Sequence, residues 1–153
     1  MRIAAAAFGL LSVTTSVGAE WKVSEGKSEL GDKITTTART QSEESPGAAL
    51  VISCDGGKDP LVTVHADFVP RFQPIQGGRY GVDVAYQLDA EKVKLDTFIV
   101  FLEQRRVLIF PDSKKAANDL KVRQKLVLQV QAPGGPHTLH FDLKGRPPLP
   151  CLP

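Results

Sequence analysis

The fold of this chain is decided by residues 49–68, which read ALVISCDGGKDPLVTVHADF. The first six residues are mostly aliphatic or β-branched, the types that favour strands. Turn residues follow at positions 55–60, where glycine tolerates positive φ and proline fixes the restart of the chain. In residues 61–68, apolar and polar side chains alternate, so that one face packs and the other meets water. The stretch therefore predicts two strands joined as a hairpin.

Similar patterns recur along most of the chain, separated by glycine and proline turns. We expect further strands at residues 34–39, 80–87, 95–102, 107–110, 126–130 and 139–143. Threonines in the first of these favour an edge strand. One helix is expected over residues 114–125, with Asp112 or Ser113 as its N-cap. The sequence thus predicts a mainly β fold: a single-domain antiparallel sandwich or small barrel of seven to eight strands with one short helix.

The N-terminal residues have the pattern of an export signal. Arg2 precedes a short apolar run, and small residues follow at positions 17–19, where signal peptidase requires them. We expect cleavage between Ala19 and Glu20, which makes residues 1–19 the signal peptide and residues 20–153 a single β-rich domain in the periplasm or outside the cell. The apolar run is shorter than the about 20 residues of a membrane-spanning helix. We therefore expect no integral membrane segment after cleavage.

The two cysteines, Cys54 and Cys151, are expected to form a disulfide bond, because an exported protein matures in an oxidising compartment. Closing a loop of about 100 residues is worth about 4 to 5 kcal/mol in the chain-entropy model. The proline-rich segment before Cys151 cannot form a regular strand or helix, since proline lacks a donor and fixes φ. The bond would therefore pin the C-terminal tail to the strand that ends at Cys54. A pair of reactive thiols is the alternative.

The charge balance argues against a nucleic-acid partner. Without Arg2 of the signal, 18 of the 19 basic residues remain against 17 acidic residues. A nucleic-acid-binding domain would show a basic patch or stripe. Here the lysines and arginines are scattered along the chain.

Two histidine–carboxylate pairs are candidates for a metal-binding or hydrolytic site. His65 and Asp67 are two residues apart, as are His140 and Asp142, so each pair would share one face of a strand. If the two strands were neighbours, the four side chains could converge on a zinc ion. We interpret them as the water-facing halves of two alternating strands and keep a metal-binding or hydrolytic site as the alternative. The sequence holds no Gly-x-Ser-x-Gly elbow and no glycine-rich phosphate loop, so we expect no catalytic residues and no cofactor.

Several short segments occur in an order typical of one protein family. They are Trp21, residues 50–54, 84–89, 108–112 and 126–128, and the Phe-Asp-Leu-Lys-Gly sequence at 141–145 before the last cysteine. In this order the chain resembles the type VI secretion system-associated periplasmic family over most of residues 20–151. The resemblance implies an exported, disulfide-bonded accessory protein without catalytic residues. The chain departs from the family after Gly145, where prolines replace a short helix.

We therefore expect an exported, non-enzymatic accessory or binding protein of the bacterial cell envelope, associated with a secretion system. Its partner would be an envelope or secretion-apparatus protein, because a disulfide-held β domain can display binding loops on a rigid frame. The alternatives are a small periplasmic enzyme inhibitor of the lysozyme-inhibitor type and the metal-binding or hydrolytic protein considered above.

Overall fold

A computed structural model of the protein describes residues 20–27, 33–56 and 59–152. The predicted signal peptide, including Ala19, lies outside these residues. Glu20, on the other side of the predicted cleavage point, is exposed.

Ten strands and one α-helix make up the regular structure of the described residues, apart from two short 3-10 turns. The strands are β1 Lys22–Lys27, β2 Ile34–Gln41, β3 Ala49–Asp55, β4 Leu61–His65, β5 Gln73–Ile75, β6 Arg79–Leu88, β7 Lys94–Val100, β8 Val107–Ile109, β9 Lys125–Ala132 and β10 Gly135–Asp142. The helix α1, Ser113–Val122, lies between β8 and β9 in the chain.

All ten strands belong to one antiparallel sheet. Its order is β1-β2-β3-β4-β8-β7-β6-β9-β10, with β5 beside β6. The prediction of a mainly β, antiparallel fold with one short helix is confirmed. The predicted sandwich or small barrel is wrong, because the strands form one continuous path rather than two stacked sheets, and no ladder joins β1 to β10 among the described residues.

The predicted count of seven to eight strands is also wrong, because β1 and β5 carry no strand pattern. Every residue of β1 is exposed, so no alternation of apolar and polar residues marks it. β1 exists through backbone pairing with β2, from Lys22 opposite Arg39 to Lys27 opposite Ile34. β2 is consequently an internal strand and not the predicted edge strand. β5 has three residues, with Pro74 at its centre.

The hairpin predicted from residues 49–68 is confirmed and supplies much of the core. β3 and β4 pair in antiparallel register from Ala49 opposite His65 to Ser53 opposite Leu61. The inward side chains of both strands are fully buried in one hydrophobic cluster; they are Leu50, Ile52, Val62 and Val64. The sheet curls over this cluster, and its far end approaches the segment after β2. There the backbone N–H of Glu43 donates to the carbonyl of His140 in β10 at 2.9 Å.

Helix α1 covers the core with Ala116, Ala117 and Leu120. It begins as predicted: the side chain of Asp112 accepts a hydrogen bond from the backbone N–H of Lys115 at 3.0 Å. It ends at Val122 and not at residue 125, because β9 already begins at Lys125. No helix in the described part of the chain has the length and apolar character needed to cross a membrane.

The predicted disulfide bond between Cys54 and Cys151 is present, with a Cα–Cα distance of 5.6 Å across a sequence separation of 97. The tail that it holds is also packed, because Leu149 and Leu152 are buried and bridge each other through their backbones. Such a bond is compatible with a protein that lies outside the cytoplasm.

Candidate functional site

The two predicted histidine–carboxylate pairs do not form a common site. His65 ends β4, whereas His140 and Asp142 lie in β10, and strands β8, β7, β6 and β9 separate β4 from β10 in the sheet. Asp67 is exposed in the loop after β4. Among the described residues, no group of three or more histidine, cysteine or carboxylate side chains could hold a metal ion.

His140 instead contacts Glu44, in the loop that follows β2. Its Nδ1 atom lies against Oε1 of Glu44. Its backbone N–H donates to Oε2 of Glu44 at 3.1 Å, and the hydroxyl of Ser42 donates to the same oxygen at 3.1 Å. Burial by itself would raise the pKa of Glu44, but these hydrogen bonds outweigh it and hold the pKa below its ordinary value. The contact between Glu44 and His140 therefore ties the loop after β2 to β10.

His65 lies in a different environment, a groove on the outward face of the sheet. The groove has a volume of about 580 Å³, which is within the range of ligand sites in proteins. It crosses β1, β2, β3, β4 and β8 and reaches the segment after β7. We call it the outer groove; its lining residues are Lys22, Ser24, Thr37, Arg39, Val51, Ser53, Leu61, Thr63, His65, Phe101, Gln104, Val107 and Ile109.

Strand register accounts for the composition of the outer groove. The residues directly opposite one another across five strands are Lys22, Arg39, Val51, Thr63 and Ile109. Opposite residues of antiparallel strands share a face, so these side chains form one row. Because neighbouring strands lie about 4.8 Å apart, the row is about 19 Å long. It runs from two cations, across a valine and a threonine, to an isoleucine.

The apolar part of the outer groove has an exposed rim and a buried floor. Leu61 is 45% exposed and Phe101 is 48% exposed, whereas Val51 on β3, in the floor of the groove, is only 5% exposed. Exposed apolar side chains that share a groove with polar residues make it a candidate interaction surface. This surface was missed from the sequence because residues 49–54 were identified only as strand formers and the two faces of that strand were not separated. The signal was present: Val51, Leu61 and Ile109 are apolar residues at positions that alternation assigns to the water-facing side.

The charged part of the outer groove is uniformly positive. Among the described residues that line it, Lys22 and Arg39 are cationic and none is acidic. The ion pairs in the described part of the chain join other side chains, which leaves both cations without a carboxylate partner. Burial lowers the pKa of His65, and the nearby charge of Arg39 lowers it further. His65 is therefore a neutral, polar group at neutral pH, beside the positive charge of Arg39.

Comparison with known proteins adds no relative: no family model, no curated protein and no solved structure matches this chain. The outer groove is therefore the feature from which a function can be argued.

Proposed function

We propose that this chain is an exported, non-enzymatic binding protein of the bacterial cell envelope, and that it captures a partner protein through the outer groove. One observation carries the proposal: the groove combines an exposed apolar rim at Leu61 and Phe101 with two cations that have no partner among the described residues. Exposed apolar side chains rimmed by polar residues mark interaction sites, and like charges directly opposite each other on neighbouring strands are unfavourable. Both are compensated when a complementary surface covers them.

The strands that form the outer groove favour binding of a partner protein. The floor of the groove is formed by five hydrogen-bonded strands and not by loops, so its side chains are already positioned before a partner binds. Preorganisation of this kind reduces the entropy lost on binding. The bond from Cys54 to Cys151 further restrains β3, the central strand of the groove.

The compartment and the class of partner form part of the same proposal. The pattern of residues 1–19 supports export, and the disulfide bond supports an oxidising compartment such as the periplasm. The resemblance to the type VI secretion system-associated periplasmic family favours an accessory role beside a secretion apparatus.

Inhibition of a lysozyme-type enzyme fits the geometry less well. A glycosidase carries its two carboxylates on either side of a bound sugar, within a cleft. An inhibitor would have to insert a protruding group between them, whereas Lys22 and Arg39 line a recess. We therefore expect the purified protein to leave lysozyme activity unchanged.

Site-specific photo-crosslinking in the bacterial envelope tests the proposal. A benzophenone-bearing amino acid would replace Leu61 or Phe101 in the groove, and Leu95 as the matched control. Leu95 is also apolar and is 83% exposed, but it lies on β7 and does not line the groove. We expect the two groove positions to cross-link the same envelope protein, which then binds the purified chain directly. Equal cross-linking from Leu95, or none from the groove, would contradict the proposal.

A further inference from the structure

We infer that the outer groove recognises an extended segment of its partner that presents one carboxylate side chain, followed at alternate positions by apolar side chains. The carboxylate would lie against Lys22 and Arg39, and the apolar side chains would lie along the floor towards Ile109. This inference rests on the proposed function and names the chemistry of the partner.

The arrangement of the two cations points to an anionic ligand. Lys22 and Arg39 are directly opposite each other on β1 and β2. Like charges in that position destabilise a strand pair, and no acidic side chain among the described lining residues offsets them. A carboxylate between them would accept charge-assisted hydrogen bonds from both, and the planar guanidinium of Arg39 can bind it through two parallel N–H groups.

The length of the row matches an extended segment. From Arg39 to Ile109 the row crosses three strand spacings, or about 14 Å. Side chains on the same side of an extended peptide repeat about every 6.8 Å, so the first, third and fifth residues also span about 14 Å. A segment of the form acid-x-apolar-x-apolar would therefore place its carboxylate at Arg39 and its last apolar side chain at Ile109.

A second row in the groove favours a peptide over a hydrocarbon chain. Ser24, Thr37 and Ser53 are opposite one another on β1, β2 and β3, and the row ends at Leu61 on β4. The hydroxyl oxygens of Thr37 and Ser53 are 3.4 Å apart. Hydroxyl groups can both donate and accept, so they can serve the N–H and C=O groups of a peptide backbone. An alkyl chain would offer these hydroxyls nothing beyond the hydrogen bond that Thr37 and Ser53 make with each other.

Peptide titration tests the inference on the full disulfide-bonded chain without its signal. The probe is fluorescein-labelled Ser-Glu-Thr-Leu-Thr-Leu-Ser, with blocked ends, and the matched peptide carries glutamine in place of glutamate. Fluorescence anisotropy would measure both affinities. We expect the glutamate peptide to bind about tenfold more tightly, because it alone offers an ionised acceptor. Arg39→Gln should reduce this preference, because Lys22 alone then remains to bind the carboxylate, while leaving the affinity for the glutamine peptide unchanged.

Two further variants allow the peptide test to be carried out even if Arg39→Gln does not fold. If Arg39→Gln proves unstable, Lys22→Gln takes its place. Lys22 lies on strand β1, whose residues are all exposed, and its substitution should reduce the same preference. Lys125→Gln removes a cation on β9, outside the groove, and should leave the preference intact.

Each other outcome overturns the inference. These outcomes are equal affinities for the two peptides, a preference that Arg39→Gln does not reduce, and no binding of either peptide with a Kd below about 1 mM. Binding of dodecanoate that depends on Arg39, without binding of the peptides, would indicate a lipid ligand instead. If Leu61 and Phe101 still cross-link a partner in any of these cases, the proposed function stands and only the ligand chemistry falls.

Discussion

Gly81 on β6 illustrates how closely neighbouring side chains approach one backbone position. Gly81 is paired with Gln73 of β5 on one side and with Ile99 of β7 on the other. A Cβ atom at position 81 would lie 2.6 Å from Cγ2 of Thr97 and 2.9 Å from Cγ2 of Ile75. Both neighbours are β-branched and stiff, so they cannot move away without strain.

We therefore expect Gly81→Ala to lower the free energy of unfolding by about 1 to 3 kcal/mol, the usual cost of overpacking. Urea denaturation followed by circular dichroism would measure it. Gly26→Ala is the matched control, because a Cβ at that position meets nothing within 4 Å. Alanine there restricts the unfolded chain, and stability should stay the same or rise by up to about 1 kcal/mol. Equal effects of the two substitutions would contradict this account.

Asp89 makes long-range hydrogen bonds that the sequence alone does not indicate. Its backbone has a φ of +52°, a value that aspartate tolerates better than most residues. Its Oδ1 atom accepts hydrogen bonds from the backbone N–H groups of Gln124 and Lys125, both at 2.9 Å. The sequence showed only an aspartate after a strand. Its two partners are more than thirty positions away, where no local pattern can indicate them.

At the scale of elements, the start of α1 is fixed to the sheet by one hydroxyl. Oγ of Ser113 accepts a hydrogen bond from the backbone N–H of Val62 in β4 at 3.0 Å. Val62 is fully buried, and its neighbour β8 ends at Ile109, before it can supply a partner for this N–H. Ser113 thus joins the helix, which covers the core, to the hairpin that builds it.

Ser113→Ala should lower the free energy of unfolding by about 1 to 3 kcal/mol, because the buried N–H of Val62 would lose its acceptor. Lys114→Ala, at the next position, provides the comparison. Among the described residues Lys114 forms one ion pair, with Asp59 at 3.3 Å, and both side chains are highly exposed, so its loss should cost less than about 1 kcal/mol. Chemical denaturation of the two variants in parallel would test the ranking, and a larger effect of Lys114→Ala would refute it.

Some elements of the fold can be predicted from the sequence and others cannot. Residues 49–68 were predicted as a hairpin because two apolar strands and their turn all lie within the segment. β1 was missed because its residues are exposed and its stability depends on β2. The outer groove was missed for a related reason: its rows form only when five strands align in register, and register is a property of pairing rather than of any one segment.

At the scale of the whole molecule, the bond between Cys54 and Cys151 closes most of the described chain into one loop. Reduction with dithiothreitol should lower the free energy of unfolding by up to about 4 to 5 kcal/mol, because the unfolded chain regains the freedom of a loop of about 100 residues. Urea denaturation with and without reductant would measure this on one sequence. Leu149 and Leu152 should keep the reduced tail partly docked, since both remain apolar and buried. Identical transitions in the two conditions would show that the bond adds nothing.

A second long-range contact, between Glu44 in the loop after β2 and His140 in β10, predicts how stability responds to acid. The pKa of Glu44 is lowered in the folded protein, so the unfolded state takes up a proton first as the pH falls below the ordinary value of 4.5. The stabilisation by Glu44 is therefore complete above that value and is lost as the pH falls through the folded pKa. Since the side chain is 45% exposed, solvent screening limits its contribution to less than about 1 kcal/mol.

Glu44→Gln should accordingly be less stable than the wild type at pH 6, and the difference should shrink as the pH falls below 4.5, because the unfolded wild-type chain then takes up a proton on Glu44 more readily than the folded chain does. Urea denaturation of both proteins across this range would measure the difference. Glu43→Gln removes a neighbouring carboxylate that makes no such contact with β10, and it should not reproduce the effect. A difference that stays constant from pH 6 to pH 3 would mean that Glu44 acts through packing, and that the charge of its carboxylate does not hold the loop after β2 to β10.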